Sequence, residues 1–109
     1  MCNGRTHNIY VIKLDRQILI NEQPFKDANP RYIPGKPCVY VGMTSKLPEE
    51  RFREHRLGHN CSRYAQKYGK SLLSEEYEHL NPMTKIQAVA MESQKAMELR
   101  ARGWAAWFY

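Results

Sequence analysis

The run from Cys38 to Gly58 constrains the fold most, because it reads as a buried strand, a sharp turn and a helix. The strand, Cys-Val-Tyr-Val, is short and rich in β-branched residues, and Pro37 and Gly42 bound it. Pro48 suits the first turn of a helix, where its missing N–H costs nothing, and Gly58 is placed to end that helix. The run therefore predicts a strand whose end meets the start of a helix.

Three polar side chains of this run are expected to point into one corner. Arg51 and His55 are four residues apart, so they share one face of the predicted helix. Tyr40 lies on the strand before it. Taken singly, each has a simpler interpretation: a core tyrosine with a hydrogen-bonded hydroxyl, and solvated helix residues with Arg51 paired to Glu54 or Glu50.

The segments before this run predict a strand and a long connection. Alternation over Asn8–Leu14 predicts a strand that turns Tyr10, Ile12 and Leu14 toward the core. The stretch 15–37 contains four prolines and is interpreted as a loop insertion, with a short helix or strand between residues 16 and 25.

The C-terminal half predicts two helices and two more strands. Ser62 is placed to cap a short helix that Gly69 ends. Residues 72–78 and 104–109 are predicted strands, and Thr84 with Gln87 forms a capping box that opens a helix running to about Arg102. Helical periodicity predicts that the apolar face of this long helix comprises Ile86, Val89, Ala90, Ser93, Ala96 and Met97.

Two glutamates of the long helix have different expected environments. Glu98 lies away from the predicted apolar face and is expected to be a solvated charge. Glu92 lies at the border of that face, where a partly desolvated carboxylate needs a partner. The partner is either a lysine or arginine, or a hard divalent cation such as Mg²⁺.

Composition places the chain in a broad class. Its 109 residues suit a single domain over 1–109, and its net charge of +6 favours an anionic partner. The odd set of cysteines, Cys2, Cys38 and Cys61, contains no C-x-x-C and predicts a reducing compartment. With no apolar run long enough to span a membrane, we expect a cytoplasmic protein without a membrane partner.

Basic residues cluster between positions 51 and 70, where only one acid, Glu54, stands among them. Such a patch would attract a phosphate backbone without reading sequence. The simpler interpretation is a solvated helix face. No recognition-helix motif is present, so specificity is expected to be low or to come from a partner. The predicted nucleic-acid surface comprises Arg53, Arg56, His59, Ser62, Arg63, Lys67 and Lys70.

The ordered set Asn8-Ile9-Tyr10, Tyr40-Val41-Gly42, Arg51, His55 and Glu92 resembles the GIY-YIG nuclease family, over residue 8 to the C-terminus. The resemblance implies an α+β domain with a small central three-stranded antiparallel sheet flanked by helices. It also implies a divalent-metal-dependent endonuclease that hydrolyses phosphodiester bonds of duplex or branched DNA, one strand per active site.

By this resemblance, the catalytic residues are Tyr10, Tyr40, Arg51, His55 and Glu92. Glu92 would hold Mg²⁺ or Mn²⁺, and Arg51 would donate to phosphate oxygens as negative charge develops. Tyr40, or less strongly Tyr10, would lie near the attacking water, and His55 is a candidate proton acceptor. The sequence leaves open whether Tyr40 or His55 is the general base.

The sequence departs from the family pattern in three respects: Asn8 stands in place of a glycine, 15–37 is an insertion, and no asparagine follows the last helix. One alternative is therefore a weak or inactive nucleic-acid-binding module of the same fold. Another is a structural zinc site formed by His55, His59 and Cys61, with or without Cys38. Cutting both strands would require a homodimer or a second encounter, and a partner protein would supply specificity.

Overall fold

The computed structural model describes residues 4–58 and 62–108, so Cys2 and Tyr109 of the expectations above lie outside the described residues. The fold is α+β, with one sheet flanked by helices. The strands are β1 (Asn8–Leu14), β2 (Cys38–Thr44), β3 (Gly69–Leu72) and β4 (Ala105–Phe108). The helices are α1 (Ile18–Asn21), α2 (Gln23–Asp27), α3 (Pro48–Leu57), α4 (Arg63–Tyr68) and α5 (Lys85–Ala101), and two 3₁₀ turns cover Ser74–Glu76 and Glu78–Leu80.

The sheet corrects the expectation of three antiparallel strands, because it has four strands and is mixed. Its order is β3-β1-β2-β4, with β1 antiparallel to both of its neighbours. The fourth strand runs parallel to β2, pairing Cys38 with Ala105 and Val41 with Phe108. A parallel neighbour requires a crossover connection, and the long helix α5, packed across β2 and β4, is part of that connection.

Both faces of the central strands are covered. The expected inward set of β1, Tyr10, Ile12 and Leu14, is buried, but Ile9 and Val11 on the opposite face are fully buried too. Only Lys13 of the central part of this strand is exposed. The two inner strands therefore carry nearly continuous apolar sequence, as expected for a sheet with helices on both sides.

The long helix begins and ends as the sequence predicts, but it buries a different face. Thr84 caps its start through the predicted capping box with Gln87, and Gly103 follows its end with φ of 88°. The predicted apolar face is largely wrong: Ala96 is buried as expected, but Ile86, Val89 and Met97 are 84, 52 and 48% exposed. The buried face comprises Ala88, Glu92, Lys95, Ala96 and Leu99.

The small alanines explain this choice of face, because they let the helix lie close to the sheet. Lys95 tolerates burial because its ammonium pairs with Glu76 at 3.3 Å and Glu98 at 3.6 Å. Glu98 is half-exposed, as predicted, although it also pairs with Arg102 at 2.6 Å. None of the described helices is both long and apolar enough to cross a membrane.

The connection between β1 and β2 is more structured than predicted. It forms α1 and α2, whose Ile18 and Phe25 are fully buried. The Asn29 side chain accepts the N–H of Ala106 at 2.8 Å and donates to the Phe25 carbonyl at 2.8 Å. The segment therefore belongs to the core beside β4.

The predicted strand at 72–78 is wrong. Leu73 still donates its N–H to the carbonyl of Val11, and two 3₁₀ turns follow. Tyr77 lies between the two 3₁₀ turns and is buried there, not in a strand.

Candidate active site

Tyr10 lies at the centre of the candidate site, over a glycine of the neighbouring strand. The antiparallel register pairs Tyr10 of β1 with Gly42 of β2. A Cβ at Gly42 would lie 2.4 Å from the Tyr10 hydroxyl oxygen, so only glycine leaves room for the phenol. The Tyr-Val-Gly sequence thus has a steric reason: its glycine makes the space that the first tyrosine occupies.

His55 reaches this phenol from α3. It is 1% exposed, and its Nε2 lies 2.8 Å from the Tyr10 hydroxyl oxygen. Its Nδ1 accepts the backbone N–H of Ser62 at 3.1 Å. Burial, helped by the nearby charge of Arg51, lowers the pKa of His55 to about 4. The ring is therefore neutral near pH 7, and because Nδ1 accepts, Nε2 carries the proton and donates to Tyr10.

Tyr40 completes a cluster of three rings. Its ring centroid lies 6.4 Å from that of Tyr10 and 5.7 Å from that of His55. Burial raises the pKa of Tyr10 well above its ordinary value, and the neighbouring Tyr40 adds to this rise. The phenol of Tyr10 is therefore protonated at neutral pH unless added positive charge stabilises the phenolate.

Arg51 joins the cluster from the same helix as His55. Its guanidinium hydrogen-bonds the Tyr10 side chain and lowers the pKa of that phenol against the effect of burial. Arg51 Nη1 also donates to Glu54 Oε1 at 3.1 Å, so the ion pair expected from sequence is present. Glu54 binds Lys46 as well, and the hydrogen bond from Lys46 is the main reason why the pKa of Glu54 is lowered.

Glu92 approaches the cluster from α5. It is 9% exposed, and its carboxylate accepts the backbone N–H of Met43. Burial raises the pKa of Glu92 to about 7, against the opposing effect of that hydrogen bond. The charge of Glu92 in turn raises the pKa of Tyr10, which places the two in one electrostatic environment.

The environment of Glu92 fits a hard cation. Among residues 4–58 and 62–108, no lysine, arginine or histidine forms an ion pair with Glu92, so its burial lacks compensating charge. The described part of the chain also contains no group of three His, Cys, Asp or Glu side chains placed to share a metal ion. A single carboxylate suits Mg²⁺ or Mn²⁺, which keep several waters and take further oxygens from a phosphate.

The predicted nucleic-acid surface divides into two parts. Arg53 and Arg56 are exposed on α3, and the Arg56 guanidinium lies 5.6 Å from the ring centroid of Phe52. On α4 and β3, acids from the 15–37 segment reduce the positive charge. Glu22 pairs with Arg63 at 2.8 Å and Lys67 at 3.7 Å, and Asp15 pairs with Lys70 at 3.4 Å.

Two residues expected on this surface, Ser62 and His59, are not described there as DNA-facing side chains. Ser62 caps α4 by accepting the N–H of Ala65, in addition to its contact with His55. His59 lies outside the described residues, as does Cys61 of the zinc alternative. Cys38 of that alternative is fully buried in β2, and both ring nitrogens of His55 already have hydrogen-bond partners.

Sequence reasoning missed four contributors to the site: the space at Gly42, the backbone N–H groups of Met43 and Ser62, and the Lys46–Glu54 pair. From sequence, Gly42 is expected only to bound the strand, and its role in making space for Tyr10 is not apparent. Every residue except proline has a backbone N–H, so residue identity does not reveal which of these groups contribute to a site.

No family model, no curated protein and no solved structure matches the chain.

Proposed function

We propose that the chain is a divalent-metal-dependent endonuclease that hydrolyses DNA phosphodiester bonds, one strand per active site. The observation that carries the proposal is the convergence on the Tyr10 hydroxyl of His55 and Arg51, with Tyr40 and Glu92 beside it. These residues come from four elements and are spread over much of the chain. The same residues carry the resemblance to the GIY-YIG family.

The architecture supports this proposal. Strands β3, β1 and β2 form three antiparallel strands, as the resemblance implies, and β4 adds a parallel neighbour. The two Tyr-containing motifs lie side by side on β1 and β2. A GIY-YIG-like fold is thus the finer description that we propose for this mixed sheet.

Each residue has a distinct proposed role. Glu92 would hold Mg²⁺ or Mn²⁺, which when bound polarises a phosphoryl oxygen and stabilises the leaving oxygen. Arg51 would donate to non-bridging phosphate oxygens. The raised pKa of Glu92 means that its carboxylate, and with it metal binding, is favoured above about pH 7.

The DNA backbone would lie against the exposed arginines of α3. Arg53 and Arg56 have no acidic partner in any ion pair of the described chain, so they remain available to phosphates. Arg63 and Lys67 are more weakly available because Glu22 already neutralises part of their charge. Binding of this kind depends steeply on salt and carries little sequence information.

A supercoiled-plasmid nicking assay tests the function. We expect wild type to convert plasmid to open circle with Mg²⁺ or Mn²⁺ and to stop when metal is chelated. Glu92→Ala and Arg51→Ala should each lose about 100-fold or more of this activity, as losses of transition-state stabilisation do. Glu98→Ala is the matched control, because Glu98 lies on the same helix but is half-exposed and paired with Arg102.

The second candidate is a nucleic-acid-binding module of the same fold that cuts weakly or not at all. The existing Arg51–Glu54 pair favours it, because a guanidinium held by a carboxylate is less free to bind phosphate. Wild type that binds plasmid and never nicks it with either metal would support this candidate. Wild type that neither binds nor nicks DNA would refute both.

A further inference from the structure

We propose that His55 is a fixed hydrogen-bond donor to Tyr10, held in that role by the backbone N–H of Ser62, and is not the general base. The proposal rests on the proposed nuclease function, since it assigns a role within that reaction. Ser62 becomes a positioning residue that acts through His55, in place of the DNA contact expected from sequence.

The role of His55 follows from the two nitrogens of its imidazole. A neutral imidazole has one N–H and one lone pair in its ring plane. The lone pair is at Nδ1, because Nδ1 accepts the N–H of Ser62 at 3.1 Å. The hydrogen is therefore at Nε2, which lies 2.8 Å from the Tyr10 hydroxyl oxygen. A general base needs an accepting lone pair near the proton that it takes, and the only one here is occupied.

Burial removes the other route by which His55 could act as a base. The residue is 1% exposed, so a water molecule has no open path to its ring. The Tyr10 oxygen fills the space beyond Nε2, and the start of α4 fills the space beyond Nδ1. The attacking water would therefore meet a tyrosine oxygen before it could meet the imidazole.

The consequence for Tyr10 is a phenol oxygen with two donors. It accepts from His55 Nε2 and hydrogen-bonds the Arg51 side chain. Its own proton must then point in a third direction, and both donors favour the phenolate over the phenol. The choice of base that the sequence left open thus narrows to the oxygens of Tyr10 and Tyr40.

The tautomer of His55 is directly measurable, without any nuclease activity. Protein with ¹⁵N-labelled histidine rings should show an unprotonated Nδ1 and a protonated Nε2 for His55 in long-range ¹H–¹⁵N spectra. Because burial lowers the pKa of the ring to about 4, this pattern should persist from about pH 5.5 to 8. A protonated Nδ1, or a doubly protonated ring in this range, would overturn the proposal.

Two substitutions at Ser62 separate its backbone from its side chain. Ser62 has φ of −69°, which proline adopts, so Ser62→Pro removes the N–H at a compatible position. We expect it to give a mixture of His55 tautomers. Ser62→Ala keeps the N–H but removes the hydroxyl that caps α4, and the His55 tautomer should stay as in wild type. Equal spectra for both variants would mean that the backbone N–H does not fix the ring.

Replacing His55 by glutamine distinguishes a role as hydrogen-bond donor from a role as general base. Glutamine can donate an N–H to Tyr10 but cannot accept a proton near neutral pH. We expect His55→Gln to keep nicking activity within about tenfold of wild type, and His55→Ala to lose about 100-fold or more. Equal, severe losses in both would favour His55 as the base. If wild type itself never nicks, the proposed function fails, and the spectra still decide the donor role.

Discussion

Replacing Glu92 by glutamine is expected to stabilise the metal-free protein, although it should abolish nicking. The carboxylate is almost completely buried, and its described hydrogen bond is to the Met43 N–H. Glutamine presents a similar oxygen to that N–H and carries no charge. The substitution therefore removes the cost of burying an ionised group while it keeps the shape of the site.

The size and pH dependence of this effect follow from the pKa of Glu92. Burial raises it from 4.5 to about 7, so the folded state holds the proton more tightly than the unfolded state. At about 1.4 kcal/mol per pKa unit, the wild type is penalised by about 3 kcal/mol once the group is ionised in both states. The penalty is absent below pH 4.5, grows between pH 4.5 and 7, and is complete above about pH 7.

Urea unfolding of wild type and Glu92→Gln in the presence of chelator measures this penalty. We expect the variant to be more stable by about 1 kcal/mol near pH 5 and by about 3 kcal/mol near pH 8. Glu98→Gln, at a half-exposed and ion-paired glutamate of the same helix, should show no such rise with pH. A Glu92→Gln advantage that is absent, or equal at both pH values, would refute the reasoning.

Metal binding should reverse the penalty in wild type alone. A ligand that binds only the folded state stabilises it, by about 2.7 kcal/mol when its concentration is 100 times Kd. Mg²⁺ added near pH 8 should thus raise the urea midpoint of wild type more than that of Glu92→Gln. Equal responses of the two proteins would mean that the cation does not bind at this carboxylate.

Three further substitutions test neighbouring parts of the structure. Gly42→Ala would place a Cβ 2.4 Å from the Tyr10 hydroxyl oxygen, so we expect a loss of about 1–3 kcal/mol in urea unfolding and a loss of nicking. Asn81→Ala removes hydrogen bonds of 2.8 Å to the N–H and to the carbonyl of Ile9, which should cost about 2 kcal/mol and speed hydrogen exchange at that amide. Glu22→Gln frees two basic partners on α4, so DNA affinity at low salt and the steepness of its salt dependence should both increase.

Local signals in the sequence identified the elements that surround the site. The apolar runs of β1 and β2 have local causes, as do the caps of α4 and α5. Their identity follows from neighbouring residues, which is why spacing alone placed them well. Gly42, expected to end the second strand, lies inside it instead, because pairing with β1 continues to Thr44. Strand β3 and the direction of β4 depend on pairing with distant segments, and their prediction was correspondingly poorer.

The buried face of α5 shows why periodicity alone can mislead. Ile86, Val89 and Met97 form an apolar row at helical spacing, yet they are exposed. The helix instead buries Glu92 and Lys95 together with small residues, because the close approach of alanines and an ion pair with Glu76 outweigh the larger apolar row. No rule based on hydrophobicity alone would choose a face that carries two charged groups.

Charge clusters are equally hard to evaluate from sequence. The basic run from 51 to 70 has one acid within it. The acids that pair with the basic side chains of its second half come from the 15–37 segment. Glu22 and Lys67 are far apart in the chain and meet only after folding. Arg63, Lys67 and Lys70 stay exposed but are ion-paired with Glu22 and Asp15. Among the described residues of the predicted surface, the arginines without an acidic partner are therefore those of α3.

Beside the site, the sheet formed by the described residues is only two strands wide, and side chains contact the outer edges of these two strands. Ile9 of β1 pairs with Met43 of β2. The side-chain amide of Asn81 contacts the outer backbone edge of Ile9, and the carboxylate of Glu92 contacts the outer backbone edge of Met43. A neutral amide satisfies an edge fully, whereas a buried carboxylate satisfies it at the cost of its charge. An amide at both edges would give a more stable domain. The chain instead places at one edge a carboxylate whose charge raises the pKa of Tyr10. This costly choice of an ionisable group supports the cation site that we propose at Glu92.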